Sequence, residues 1–368
     1  MGVRVHPFKE ATLNAQRSTL NAQFFLHWTL DVERWTFVCL NALQHKQLFR
    51  SALLDWYRKH GRDLPWRDTR DPYAILVSEF MLQQTQVASV LPYYDRWLRR
   101  FPDFHALARA SQSDVLHAWQ GLGYYARAHN LHAAAKTILA KYGGRCPRDV
   151  PSLQSLPGIG RYTANAIASF AFDQPVAVVD ANIARLTARL FNIQIPSDSS
   201  AGRNMIWDLT SRLVSHKHTR ILNSALMDLG AMICIPRAPK CGLCPVQKFC
   251  RAQHPGLLPI SRARPRLKRL LETHSFAVRR NKILLEQSTG RWRGMWILPP
   301  LGRPKSRQPI HQAVFAFTHH RINLAVFRQK PAGRSKHRRW FSLRDIDSIP
   351  LPSPHRRAVL ALIANTLH

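Results

Sequence analysis

Leu156-Pro157-Gly158-Ile159-Gly160-Arg161-Tyr162-Thr163 reads as a tight glycine turn that opens a helix, and the chain on both sides of it is helical in pattern. Apolar residues recur at three- and four-residue spacings over 75–91, 114–119, 126–142 and 163–170, with short breaks at Gly or Pro. Residues 48–252 are therefore predicted to form an all-α domain, with a helix-hairpin-helix at 156–163. The two glycines, Gly158 and Gly160, let backbone N–H groups approach an anion with no Cβ in the way, and the helix N-terminus adds a favourable dipole. A plain turn between two helices gives the same pattern, so the hairpin alone does not define a site.

The composition names a class of partner. In 368 residues, 54 Lys and Arg stand against 21 Asp and Glu, a formal charge of +33 that calls for a polyanion, with nucleic acid the default. A basic ribosomal or membrane-surface protein has the same balance. The 45% hydrophobic content is enough for a core in each of two domains. No apolar run approaches the roughly 18 residues of a membrane span, so no membrane partner is expected, and the start does not read as a secretory signal. Six cysteines are too few for a disulfide scaffold in a chain of this length; a reducing cytoplasm, or the nucleoid in a bacterial cell, fits better.

Residues 1–47 lack caps or a sustained period and read as an extension whose order the sequence leaves open. Beyond Cys250, Pro255, Pro259 and Pro265 lie among Arg262, Arg264, Arg266, Lys268 and Arg269, which marks 253–271 as an extended basic linker. In 272–368, β-rich runs at 275–278, 282–285 and 323–327 precede a closing helix at 355–367, so this domain is predicted to be α+β. From Ala252 onward, 23 Lys and Arg face only Glu272, Glu286, Asp345 and Asp347.

Three segments carry candidate chemistry. Cys234-x6-Cys241-x2-Cys244-x5-Cys250 places four thiols in one short loop, as a compact iron–sulfur cluster requires. Structural zinc sites more often use two C-x2-C knuckles, and four unligated cysteines are the remaining alternative. Arg237 and Lys240, between the first two cysteines, are cations that an ordered loop can present to phosphates. Asp180, in Val178-Val179-Asp180-Ala181-Asn182, is either the N-cap of the helix that follows or a carboxylate set against positive charge developing on a sugar. Glu79, in Val77-Ser78-Glu79-Phe80-Met81-Leu82-Gln83-Gln84, is either an acid of raised pKa at a buried edge or a solvent-facing residue of an amphipathic helix.

Hairpin, Asp180 and cysteine loop stand in the order found in the helix-hairpin-helix DNA glycosylases, which this chain resembles. The run 77–87, with Leu64-Pro65-Trp66 before it and Gly121-Leu122-Gly123-Tyr124-Tyr125-Ala126-Arg127 after it, is similar to the adenine glycosylases of the MutY type. The resemblance implies a monomeric enzyme with a 4Fe–4S cluster that removes adenine mispaired with 8-oxoguanine or guanine in duplex DNA. It implies Glu79 as proton donor to adenine, Asp180 as stabiliser of the oxocarbenium sugar, and Tyr162 and Asn182 as their supports. Gln83, Gln84 and Tyr124 take the positions that contact or wedge the DNA. In the related endonuclease III type the position of Glu79 is not acidic and that of Tyr162 is a lysine forming a Schiff base. Tyr162 therefore implies hydrolysis without strong lyase action. Two rivals remain: an endonuclease III-like or mismatch thymine glycosylase, and a non-catalytic DNA clamp.

Residues 290–299 and Phe317-Thr318-His319 resemble the MutY-type C-terminal domain, which is Nudix-like (MutT-like) and recognises 8-oxoguanine. Phe317, Thr318 and His319 are then the lesion-contacting residues. The four acids are too scattered to hold magnesium for pyrophosphate hydrolysis, so the domain is expected to bind rather than hydrolyse. Arg293 replaces a small residue of the family pattern.

Overall fold

The computed structural model describes residues 43–215, 217–262, 267–317, 320–333 and 335–364. Its helices in chain order are α1 (Lys46–His60), α2 (Pro65–Asp68), α3 (Pro72–Leu82), α4 (Val87–Arg100), α5 (Phe104–Arg109), α6 (Gln112–Ala118), α7 (Ala126–Tyr142), α8 (Val150–Gln154) and α9 (Arg161–Phe170). Then come α10 (Ala181–Leu190), α11 (Ser200–Leu213) and α12 (Thr219–Met232), and α13 (Ser353–Ala364) follows the strands. Among the described residues no helix is long and apolar enough to cross a membrane.

Local rules start many of these helices. Asp71 caps α3 by accepting from the Tyr73 and Ala74 N–H groups, and Pro72 at the first position needs no donor there. Asp103, Ser111, Asp149 and Ser199 cap α5, α6, α8 and α11 in the same way, and a left-handed Gly143 ends α7.

Chain contacts group the helices in a way that the linear order does not. One compact unit takes the chain through Arg62 with Gln174–Arg262; the other takes Asp63–Asp173 with Ala263–His368. The helical stretch 48–252 is thus shared between two contact units. In the first, α1, α10, α11 and α12 pack around Phe49, Leu53, Leu190, Leu209 and Leu226, and Val246 and Phe249 of the cysteine loop join that core. Much of the expected linker is held against this unit: Ser197 N–H donates to the Ile260 carbonyl at 2.9 Å, and Arg189 Nε to that of Leu258 at 2.9 Å.

The strands are β1 (Lys268–Ser275), β2 (Val278–Arg279), β3 (Lys282–Gln287), β4 (Trp296–Ile297), β5 (His311–Phe317), β6 (His320–Phe327) and β7 (Arg338–Ser342). One sheet has the order β1-β6-β5, with β1 parallel to β6 and β5 antiparallel to it. In the other, β3 pairs with β2, β4 and β7, all antiparallel. Phe276, Ile283, Leu285, Leu324 and Val326 form a core with Ala358, Val359 and Leu362 of α13. β1 begins at Lys268, inside the stretch expected to be linker. Its exposed first residues carry no apolar alternation; the strand is fixed by pairing with β6 some fifty residues later, from Lys268 against His320 onward.

Phe49 of α1 is buried and meets Phe249 edge to face at 5.8 Å between ring centroids. Phe49→Ala is expected to remove about 3–5 kcal/mol of stability, read as a lowered midpoint in chemical denaturation; a change below 1 kcal/mol would show that this contact does not tie α1 to the cysteine loop.

Candidate active site and cysteine loop

Glu79 is 5% exposed, on a helix whose residues Tyr73 to Met81 are all buried. The solvent-facing alternative therefore does not hold: α3 is apolar on every side, a central core helix with one carboxylate in it. Its C-terminal carbonyls are met by Arg127, itself 6% exposed. Arg127 Nη1 donates to the carbonyls of Phe80 at 3.0 Å and Met81 at 2.7 Å, and to that of Gln83. Nη2 donates to Thr85 Oγ1 at 3.2 Å and to the carbonyls of Leu122 at 3.0 Å and Gly123 at 3.2 Å. A buried cation is thus placed at the negative end of α3, and burial still pulls its pKa down to about 10.

That fan of bonds holds two loops in unusual backbone conformations. Gln84 (φ 56°) and Tyr124 (φ 47°) are both left-handed, a region that costs a non-glycine residue of the order of 1 kcal/mol or more. Both side chains are exposed, Tyr124 by 43%. They line one cavity of about 300 Å³ with Gln83 and Asn130, and Arg291, Trp292 and Phe317 line it too. Phe317 is half-buried there. Thr318 and His319 lie outside the described residues.

The hairpin turn lies next to the same wall. Gly158 has φ 74°, and a Cβ on it would stand 2.4 Å from Asn130 Cβ, so both its conformation and its packing require glycine. Gly160 is the N-cap of α9 and offers no capping side chain; space lies open beside it. Tyr162 is half-buried in the first turn of α9.

In the other unit, Asp180 is the N-cap of α10. Its Oδ1 accepts from the Ile183 N–H at 2.7 Å and its Oδ2 from Asn182 Nδ2 at 2.9 Å. Burial raises its pKa, against the pull of those bonds and of Arg185. Asn182 Oδ1 in turn accepts from Arg185 Nη2 at 2.9 Å, and Arg185 Nε donates to the Cys234 carbonyl at 2.9 Å. Gly230 of α12 admits this packing: a Cβ there would be 2.8 Å from Asn182 Cβ. The carboxylate and the first cysteine are thereby joined by three successive hydrogen bonds.

Arg189, one helical turn after Arg185 and 1% exposed, completes the support. It donates to Cys234 Sγ at 3.3 Å and to the carbonyls of Ile235 at 2.7 Å and Pro236 at 2.6 Å. Cys234, Cys241, Cys244 and Cys250 all line a cavity of about 240 Å³. Among the described residues no three His, Cys, Asp or Glu side chains are grouped closely enough for a single ion. Four thiols around a cavity fit a cluster in which each iron takes one sulfur. Burial pushes the Cys244 thiol up to about 11, so a thiolate there needs positive charge brought to it, which the iron of a bound cluster would supply. Arg237 and Lys240 are exposed on the loop.

Glu79, Gln83, Gln84, Tyr124, Gly158, Gly160, Tyr162 and Phe317 thus belong to one unit, and Asp180, Asn182, Arg237, Lys240 and the four cysteines to the other. Sequence reasoning missed the arginines that position them, Arg127, Arg185 and Arg189. The last two left a signal: an Arg pair at i and i+4 beginning five residues after Asp180 faces one side of a helix. Arg127 ended a run that the resemblance marked, but its role was not legible, because its partners are five carbonyls and one hydroxyl.

A helical fold with this hairpin, capped aspartate and cysteine loop defines a class of DNA-repair protein. Residues 77–208 match the HhH-GPD superfamily of base excision DNA repair proteins, and residues 234–250 the iron–sulfur binding domain of endonuclease III. Adenine DNA glycosylase of Mycobacterium tuberculosis is 43% identical over 208 residues, 56% of this chain and 68% of that protein. The mouse adenine DNA glycosylase is 46% identical over 213 residues, 55% of this chain and 41% of that protein. A solved thermostable thymine-DNA glycosylase aligns with TM-score 0.53 and 34% identity, over 56% of this chain and 96% of that one. The chain belongs to the HhH-GPD superfamily, in its MutY-type, iron–sulfur branch. It spans about two fifths of the length of the mammalian relatives it matches.

Arg127→Met leaves the carbonyls of Phe80, Met81 and Leu122 without their donor and is expected to cost roughly 3 kcal/mol; an unchanged melting temperature would remove Arg127 from this role. Cys244→Ser is expected to lower the iron content of purified protein and its visible absorbance, and full retention of both would exclude Cys244 as a ligand.

Proposed function

We propose that this chain is a monofunctional adenine DNA glycosylase of base excision repair, hydrolysing the N-glycosidic bond of adenine mispaired with 8-oxoguanine or guanine in duplex DNA. The observation that carries the reading is Glu79, a buried carboxylate kept in the core helix α3. Burying a carboxyl group costs free energy that its partners have to offset, so one kept in an otherwise apolar core helix marks a candidate functional site.

Adenine is a poor leaving group as an anion. Glu79 donates a proton to the base ring as the bond breaks, and Asp180 faces the positive charge that develops on the sugar, with Asn182 and Tyr162 as supports. The two carboxyl groups divide the work as in other glycoside hydrolysis: Glu79 donates the proton, and Asp180 carries the negative charge, which the Ile183 N–H, Asn182 and Arg185 favour against the opposing effect of burial. Asp180 serves as cap and carboxylate together: Oδ1 is taken by the Ile183 N–H, and Oδ2 is turned by Asn182. With a tyrosine where a Schiff-base lysine would stand, water is the nucleophile.

The adenine must leave the stack before this chemistry. Gln84 and Tyr124, exposed and left-handed, are the residues that enter the vacated space, with Gln83 beside them. Gly158 and Gly160 at the hairpin and Arg237 and Lys240 on the cysteine loop bind phosphates. Cys234, Cys241, Cys244 and Cys250 hold a 4Fe–4S cluster whose contribution is to order that loop. We assign 48–252 as the glycosylase domain, 253–267 as linker and 268–368, which starts with β1, as a Nudix-like domain in which Phe317, Thr318 and His319 meet the oxidised base. The protein acts as a monomer.

Thymine is the second reading, favoured by the structural match to a thymine-DNA glycosylase. Single-turnover assays on adenine opposite 8-oxoguanine, guanine or thymine, and on thymine opposite guanine, separate the two. Adenine release opposite 8-oxoguanine and guanine is expected, with Glu79→Gln binding the same duplexes but slowed by 10²-fold or more, on the order of a lost general acid. Inactivity on every adenine duplex would sink the assignment.

A further inference from the structure

The cavity beside Gln84 and Tyr124 is walled from the C-terminal domain by Arg291, Trp292 and Phe317. Arg291 is locked in place. Its guanidinium lies 5.2 Å from the Trp292 ring centroid and 4.7 Å from that of Phe317. Its Nη1 donates to Glu272 Oε1 at 2.7 Å. His274 Nε2 stands 4.0 Å from the other oxygen of Glu272. Burial alone would push the Glu272 carboxyl upward, but His274 and Arg291 outweigh it and keep it below its ordinary range. From Ala252 onward the chain has only four acids, so the use of Glu272 on one arginine is a specific placement. Glu286 and Asp347 pair with Arg338 and Arg356, the second of these carboxylates largely exposed.

A cation that serves only to neutralise phosphate has no need of such a clamp. Here the guanidinium side chain is 22% exposed, oriented by a carboxylate, and set over aromatic rings beside three side-chain amides and two tyrosines. Flat stacking surface with a fixed planar fork is the chemistry of a nucleobase site. On a base edge, a fork of donors is matched by two neighbouring acceptors, and only guanine presents a pair, O6 and N7. Adenine and cytosine present an amino donor there, and thymine one acceptor beside a methyl group.

We propose that Arg291 is a specificity-determining residue that reads the O6/N7 edge of the guanine-type base opposite the target, an inference that rests on the function proposed above. Oxidation at C8 puts a proton on N7, so 8-oxoguanine keeps O6 as an acceptor but loses N7. Guanine thus engages both arms of the fork and 8-oxoguanine one. Arg291 thereby narrows the chain's preference for the oxidised base.

The test uses the full-length protein and duplexes carrying a tetrahydrofuran abasic site opposite guanine, 8-oxoguanine or cytosine, with Kd measured by fluorescence anisotropy. With no base to remove, binding is read independently of adenine release. Wild type is expected to bind the guanine duplex more tightly than the cytosine duplex. Arg291→Leu should weaken the guanine duplex by about tenfold and the 8-oxoguanine duplex by less than about threefold, as loss of a bidentate base contact predicts. Arg291→Lys keeps the charge without the fork and should lose the guanine selectivity while leaving cytosine binding unchanged. Arg293→Leu, at an exposed neighbouring position, removes the same charge and should weaken all three alike. Equal weakening of the three duplexes by Arg291→Leu, full selectivity in Arg291→Lys, or no guanine preference in the wild type would overturn the proposal. Guanine selectivity without adenine release would overturn the function proposed above and leave this inference standing.

Discussion

Buried guanidinium groups bonded to main-chain carbonyls are the constraint on which both units depend. Arg127 gathers the end of α3 and the 121–124 loop; Arg185 and Arg189 gather the start of α10, the end of α12 and the first cysteine. Carbonyls at helix ends and in loops are acceptors that lack a partner within their own element, and a buried one left unmet costs about 1–3 kcal/mol. Arginine meets several at once from one planar fork and does not titrate near neutral pH. Lysine in these positions would bring the charge but not the geometry.

Such anchoring also explains how strained backbone persists. Gln84 and Tyr124 stand in left-handed conformations on loops whose carbonyls or hydroxyl are held by one side chain, Arg127, so neither loop relaxes without breaking bonds of the other. Both side chains are exposed at the cavity that these two loops line. Asp180 follows the same logic with less strain: the cap that starts α10 also fixes the direction of its carboxylate.

Charge is distributed with corresponding economy in the C-terminal domain. Its basic excess favours a polyanion in general, but three of its four acids each fix one arginine. Arg291, Arg338 and Arg356 are each oriented by a carboxylate, a placement that bulk attraction to a polyanion does not require.

Features with local causes were legible in the sequence. The cysteine spacing, the glycine turn and the Asp180 cap each depend on residues within about fifteen positions, so pattern alone located them, and the α+β character of the C-terminal domain followed from its short β-rich runs. What the sequence could not show was where each element is buried. The apolar spacing over 75–91 let Glu79 read equally well as a surface residue of an amphipathic helix; only packing on every side of α3 makes it a core carboxylate. β1 was hidden in a basic stretch because its partner β6 lies some fifty residues away. Arg127 and Arg291 lay inside runs that the family resemblance marked, but nothing in those runs showed their roles, since their partners are backbone carbonyls, a hydroxyl, one glutamate and two rings brought in from elsewhere in the chain. By itself the sequence determined which chemical groups this protein carries and the short-range geometry of its turns and caps. The tertiary structure alone decided which of those groups leave water, because burial is a property of long-range packing.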